Sequence, residues 1–379
     1  LLAVVLVYSI STMTHLSSAG SVELGAAAFI LAGFFALLQW QQTHRTGWLI
    51  LAALLVGLYA GTKLPFQMTV MLIGTWVFVE GWRHSRSLRT AFTVALVFGL
   101  VSSGTVGVWY LKNLILSGNP VYPFLQSILG GPPIRVDLLV DGPSNLTDRW
   151  IESILHRENP AWRMVLQLYR FVLDPDKLRG HISPLFVASL PVVVVFAFRA
   201  SSQIRTILIF SVLMYVAWVP TTFMIRTGLP ILALMSIPVA AVLLEITKQH
   251  NTARLAIAGM LVVWLATSLG GVIRNTAPTV PVVVGAQSVD AYLLERGPSE
   301  YAFTAYDAYL FINENLPAEA KVLLWESRGY YVERPNIYAK EFIVSLANPN
   351  RIYDQRYVGD ELRRFGITHV AMTDNSLRS

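Results

Sequence analysis

The stretch SVELGAAAFILAGFFALLQW, from Ser21 to Trp40, decides the class of this protein. No charged side chain occurs between Leu24 and Trp40, and the run approaches the ~20 apolar residues that carry a helix across a bilayer core. Just before it stands Glu23, the only acid between Leu1 and Val79. Working outward, similar runs recur at Leu1–Ile10 (incomplete), Trp48–Thr62, Phe66–Val79, Ala91–Leu111, Pro184–Phe198, Ile207–Pro220, Leu229–Leu244 and Leu255–Val272. Together they predict about nine spans. Composition agrees: of 379 residues, 54% are hydrophobic and 14% charged, with mean hydropathy +0.53. Soluble domains carry roughly 25% charged residues. An ordinary soluble enzyme, a disordered chain and a collagen-like chain are therefore excluded. Cysteine is absent, which rules out disulfides and thiolate metal sites. The chain opens inside an apolar run, without an initiator Met or the charged start of a signal peptide. It is expected to be the remainder of a longer polytopic protein.

The formal charge of +6 and pI near 9.5 would point to nucleic acid in a soluble protein. Here the excess sits in four short connections: Gln41–Gly47, Glu80–Thr90, Arg199–Thr206 and Glu245–Arg254. They hold eight basic and two acidic side chains, a net +6, and the positive-inside rule makes them cytoplasmic. Two long segments, Lys112–Ser183 and Ile273–Ser379, then lie outside. The charge thus predicts orientation, and no nucleic-acid partner is expected.

In the first long segment, Asn159-Pro160 makes a good helix start. Trp162, Val165, Leu166, Tyr169, Val172 and Leu173 then fall on one face, with Arg163, Gln167 and Arg170 opposite. The pattern near residues 160–173 suits a helix lying in the membrane interface, and equally one packed on the outer surface of the bundle. From about Tyr301 the composition turns soluble-like. A helix at Ala302–Asn315, a strand at Lys321–Trp325, a short helix at Gly359–Phe365 and a strand at Ile367–Met372 predict a small α/β domain. The expected organisation is a transmembrane bundle over residues 1–273, followed by a linker and α/β domain over 274–379.

Three isolated charges stand at the outer rim of the predicted spans. A carboxylate at membrane depth is costly unless paired or facing a wet cavity, so Glu23 is a functional candidate; in the headgroup zone water would solvate it. Lys63, in Gly61-Thr-Lys-Leu-Pro65, and Arg226, in Arg226-Thr-Gly-Leu-Pro230, are cations on the same side. Such cations suit a phosphate-bearing ligand, Arg as a fork and Lys as a point charge; snorkelling to lipid headgroups is the simpler reading. Gly118-Asn119-Pro120 signals a turn. Asp137 and Asp141 are candidate acceptor contacts in the outer loop. His15, His156, His181 and His369 show no metal-ligand spacing, so no metal site and no cofactor is indicated.

In combination these segments resemble the GT-C superfamily of polyprenyl-phosphate-sugar-dependent glycosyltransferases, in particular bacterial relatives of protein O-mannosyltransferases and aminoarabinose transferases. Val22-Glu23-Leu24 is similar to the family's Asp-Leu motif, and Gly61-Thr62-Lys63 to its Gly-x-Lys turn. Asn113 to Phe124 is similar to its Arg-Asn-x-x-x-x-Gly-Asn-Pro-x-x-Pro-Phe signature. Ser183-Pro184-Leu185-Phe186 resembles its Gly-Pro-Leu-Phe start, and Arg226-Thr-Gly-Leu-Pro230 its Arg-Tyr-x-x-Pro. Ile312-Asn-Glu-Asn-Leu-Pro317 and Gly366-Ile-Thr-His-Val370 resemble phrases of its outer C-terminal domain. The chain departs from the family in having Glu23 for Asp and Thr227 for an aromatic.

The resemblance implies a GT-C-like helix bundle with a small extracytoplasmic α/β domain, in a bacterial plasma membrane. It implies inverting transfer of a sugar from a polyprenyl-phosphate donor to a hydroxyl of a lipid, glycan or protein acceptor. Glu23 would assist or position the acceptor, and Lys63 and Arg226 would hold the donor phosphate. The family's main catalytic acid lies in the first outer loop, expected to precede Leu1. A divalent metal at the phosphate is left open. The competing readings are a transporter or flippase of lipid-linked sugars, and a polymerase or ligase of lipid-linked glycans.

Overall fold

A computed structural model describes residues 1–18, 21–63, 66–122, 125–131, 182, 184–197, 199–218, 225–249, 251–296, 306–324, 329–344, 346, 351 and 353–372. The chain divides into two compact units, Leu1–Tyr122 with Trp150–Thr276, and Pro123–Arg149 with Ala277–Ser379. The predicted interfacial helix near 160–173 and both Asp137 and Asp141 lie outside the described residues.

The first unit is helical. Among the described residues its helices are α1 (Leu2–Tyr8), α2 (Ser11–Ser18), α3 (Val22–Thr43), α4 (Thr46–Thr62), α5 (Gln67–Ser85), α6 (Leu88–Ser117), α7 (Pro184–Ala197), α8 (Ser202–Trp218), α9 (Ile225–Gln249) and α10 (Asn251–Thr276). Each predicted span overlaps one of them over its described residues. Four helical stretches, Val22–Thr43, Leu88–Ser117, Ile225–Lys248 and Asn251–Val283, are long and apolar enough to cross a membrane. Helix α2 was not foreseen, because it is polar. Its hydroxyls turn back onto the chain: Thr14 Oγ1 donates to the Ser11 carbonyl at 2.8 Å and Ser17 Oγ to the Thr14 carbonyl at 2.6 Å. That satisfies side chains which would otherwise compete with the helix.

Helix ends follow local chemistry. Ser87 caps α6, its Oγ accepting from the Thr90 N–H at 3.3 Å, and Gly118 ends that helix in the left-handed region at φ 72°. The left-handed residue that lets a helix stop and its chain turn is glycine there because no Cβ opposes it.

The core joins Phe34 and Leu37 of α3, Val56 and Tyr59 of α4, Phe98 of α6, Phe210 and Met214 of α8, and Leu234 and Val239 of α9. Small residues let the helices approach closely. A Cβ on Gly57 of α4 would lie 2.7 Å from the Ser102 carbonyl oxygen of α6. One turn away Ser102 Oγ donates to the Ala53 carbonyl at 3.0 Å. By contrast, Phe92, Leu100, Val108 and Ile115 of α6 and Leu255, Val262 and Ile273 of α10 are exposed. A soluble monomer rarely shows so much contiguous apolar surface; acyl chains would cover it.

The second unit carries a three-stranded parallel sheet ordered β2-β1-β3, from β1 (Val322–Leu324), β2 (Asn336–Tyr338) and β3 (His369–Ala371). Alternation splits the central strand between two cores. Val322 and Leu324 pack with Tyr306, Tyr309 and Ile312 of the helix Tyr306–Asn315, while Leu323 packs with Ala339, Phe342 and Leu346. Asn313 ties a loop to this helix, its Nδ2 donating to the Tyr331 carbonyl at 2.8 Å and its Oδ1 accepting from the Glu333 N–H at 2.9 Å. The Arg334 guanidinium donates to the Asn313 and Leu316 carbonyls, covering the helix C-terminus. The strand β2 was missed in the sequence because its Asn-Ile-Tyr stands between Arg334-Pro335 and Ala339-Lys340-Glu341, with no apolar run like Val322–Trp325 to mark it.

Candidate functional site

Three helix termini of the first unit bring together Glu23, Lys63 and Arg226. Glu23 lies in the first turn of α3, where the helix dipole favours a negative charge. Ser21, immediately before that helix, donates its Oγ to Glu23 Oε2. Lys63 ends α4 in an extended conformation, φ −152° and ψ 142°. In the sequence Pro65 follows two residues later, and a proline just past a helix end cannot continue the helix. The turn is then held by Phe66, whose N–H donates to the Lys63 carbonyl at 3.0 Å and whose ring stacks on Tyr59 at 4.5 Å. Arg226 lies in the first turn of α9.

The Lys63 ammonium donates to Glu23 Oε1, and Arg226 Nε lies 3.8 Å from the same oxygen. The Glu23 side chain is 3% exposed, Lys63 25% and Arg226 53%. A buried carboxylate is thus paired by two cations that both keep open surface. Removing a carboxylate from water costs several kcal/mol, which such pairing offsets. One negative and two positive charges leave the cluster cationic. Its open side is the guanidinium, whose planar fork matches phosphate oxygens.

An apolar hollow of about 370 Å³ lies among α1, α2, α3 and α9. Val7 and Met13 line it, with Leu24 and Ala27 of α3 and Ala233 and Ile237 of α9. Leu24 directly follows Glu23, and Ala233 lies two turns beyond Arg226. The hollow therefore shares two of its walls with the helices that carry the charges.

The neighbouring end of α6 is also built. Lys112 lies over the Trp109 ring, 5.2 Å from its centroid, and Trp109 packs 3.9 Å from where a Cβ on Gly61 would be. Asn113 Nδ2 donates to the Tyr122 carbonyl at 3.1 Å, and fully buried Asn119 accepts from the Val121 N–H at 3.0 Å. The Gly118-Asn119-Pro120 segment is thus a hydrogen-bonded turn. Burial raises the phenol of Tyr122 above its usual titration range.

The placement of Arg226 differs from the sequence reading in one respect. The predicted span begins at Leu229, whereas α9 begins at Ile225 and so takes in Arg226 and Gly228 as well. Sequence reasoning also missed Trp218. Its indole Nε1 donates to Thr227 Oγ1 at 2.9 Å, in a buried setting. An aromatic at the end of an apolar run ordinarily reads as an interface anchor, so nothing marked this one. Among the described residues no three His, Asp or Glu side chains form a metal-binding group. Comparison with known protein families, with characterised proteins and with solved structures finds no match.

Proposed function

We propose that this chain is an integral-membrane glycosyltransferase of the GT-C kind, moving a sugar from a polyprenyl-phosphate donor to an acceptor hydroxyl outside the cytoplasm with inversion. The observation that carries the reading is the convergence of Lys63 and Arg226 on buried Glu23 at one end of an apolar bundle. The adjacent apolar hollow supports a ligand with a hydrocarbon tail.

On this reading the acceptor oxygen attacks the anomeric carbon while the bond from that carbon to the phosphate oxygen breaks. The electron pair goes to the lipid phosphate, and the hydroxyl proton to a carboxylate base. Lys63 and Arg226 stabilise the charge that develops on the leaving phosphate. Both Glu23 oxygens are engaged, by Lys63 and Ser21. Its part here is to hold the cations in register; to take a proton it must first leave Lys63.

The test uses the chain in lipid nanodiscs, with farnesyl phosphate as probe and farnesol as the neutral control, followed by sugar transfer from a polyprenyl-phosphate sugar in proteoliposomes. Lys63→Ala and Arg226→Ala should each weaken farnesyl phosphate binding by roughly tenfold or more, the range of a charged hydrogen bond. Farnesol bound as tightly as its phosphate, or both variants binding like wild type, would refute the reading.

A further inference from the structure

Arg226 sits on a helix turn that its own backbone holds poorly. Pro230 has no N–H to return to the Arg226 carbonyl four residues earlier, and its ring crowds that carbonyl. Something outside α9 must therefore fix the turn, and α8 supplies it at two points. The Trp218 indole donates to Thr227 Oγ1 at 2.9 Å. The same ring lies against Gly228, where a Cβ would meet Trp218 ring atoms at 3.0, 3.1 and 3.3 Å. Trp218 and Thr227 are 5% and 8% exposed, so water does not compete for the bond.

We infer that Trp218 is a positioning residue for anion recognition, setting the direction of Arg226 through its hydrogen bond to Thr227 and its packing on Gly228. The inference rests on the reading of Arg226 as a phosphate-binding cation. Glycine at 228 admits the ring, the Thr227 hydroxyl receives the indole proton, and Arg226, one residue before, is aimed toward Glu23. Because Arg226 is half exposed and lies 3.8 Å from Glu23, a small rotation of this turn would move its fork away from the carboxylate and from any phosphate beside it.

Thr227→Val keeps the volume and removes the acceptor; Trp218→Phe keeps a ring on Gly228 and removes the donor; Thr227→Ser restores the hydroxyl. Affinity is measured in nanodiscs for farnesyl phosphate and for farnesol. Thr227→Val and Trp218→Phe should each weaken farnesyl phosphate roughly fivefold, the size of one buried hydrogen bond, and leave farnesol unchanged. Thr227→Ser should bind like wild type. The double variant should be no worse than either single, since both remove one bond. A purely structural role would lower both ligands together, and that outcome overturns the inference, as does wild-type phosphate affinity in Thr227→Val and Trp218→Phe. Arg226→Ala separates the two failures. If it weakens phosphate binding while the Thr227 and Trp218 variants do not, only the positioning role falls; if it has no effect, the phosphate reading falls and the positioning role with it.

Discussion

Lys63 closes its ammonium on Oε1 of Glu23, 40 residues away in the chain, and so ties the end of α4 to the first turn of α3. The carboxylate is buried and the ammonium is not. Each partner therefore depends on the other differently: Glu23 needs compensation to be where it is, whereas Lys63 would be solvated without it.

That asymmetry predicts unequal variants. Lys63→Ala leaves the buried Glu23 carboxylate with Arg226 Nε at 3.8 Å as its remaining cation and should cost about 2 kcal/mol or more, read as a lower unfolding midpoint in detergent. Glu23→Ala removes the buried charge and leaves two cations that water can solvate, so it should cost less. The double variant should be more stable than the sum of the singles implies, with a coupling of about 1 kcal/mol. Additive singles would count against the pairing.

A close backbone approach between α4 and α6 makes a steric prediction. Gly57→Ala places a methyl 2.7 Å from the Ser102 carbonyl oxygen and 2.9 Å from Thr105 Cβ, forcing α4 and α6 apart at a cost of about 1–3 kcal/mol. Gly99→Ala, on α6 with open space around it, should be neutral or slightly stabilising. The pair of unfolding midpoints checks this; equal shifts would contradict the packing.

At the other ends of α3 and α5, the rings of His44 and His84 stack with centroids 3.4 Å apart. Burial, then the neighbouring His84, lower the proton affinity of His44, while Glu80 opposes them. A histidine whose folded pKa is depressed contributes stability above its unfolded pKa of about 6.5. That contribution is lost as pH falls through the folded pKa. Unfolding midpoints should therefore drop on acidification below about pH 6.5. His44 is the left-handed cap of α3 at φ 51°, a conformation asparagine tolerates. His44→Asn should keep the cap and flatten the pH profile; an unchanged slope would exclude His44 as its source.

In the second unit Tyr306 donates its hydroxyl to Asp290 Oδ1. That bond, with burial and the negative charge nearby, raises the phenol to about 12. A raised folded pKa means the contribution is complete below the unfolded value near 10 and fades as pH rises through about 12. Absorbance titration of wild type minus Tyr306→Phe should show one phenol ionising near the upper value. Ionisation near the ordinary value would mean the bond is absent in solution.

The helical character of the first unit, with helices long and apolar enough to cross a membrane, was legible from the chain alone. Apolar runs of helix length can satisfy their backbone only as helices in lipid, and that is a local property. The same holds for the stop at Lys63 before Leu-Pro, the Gly118 cap and the helix–strand alternation of the tail. Glu23, Lys63 and Arg226 were each visible as a charge out of place, because an isolated ion beside an apolar run is costly wherever the chain later goes. Their meeting was not visible. It depends on how α3, α4 and α9 pack, and Arg226 follows Glu23 by some two hundred residues. Only the tertiary structure decided that one buried carboxylate holds both cations, and that Trp218 reaches Thr227 from another helix. Hydropathy specifies that a helix is buried in lipid or protein; which neighbour it meets is set by the shapes of small residues such as Gly57 and Gly228, and one sequence does not record those pairings.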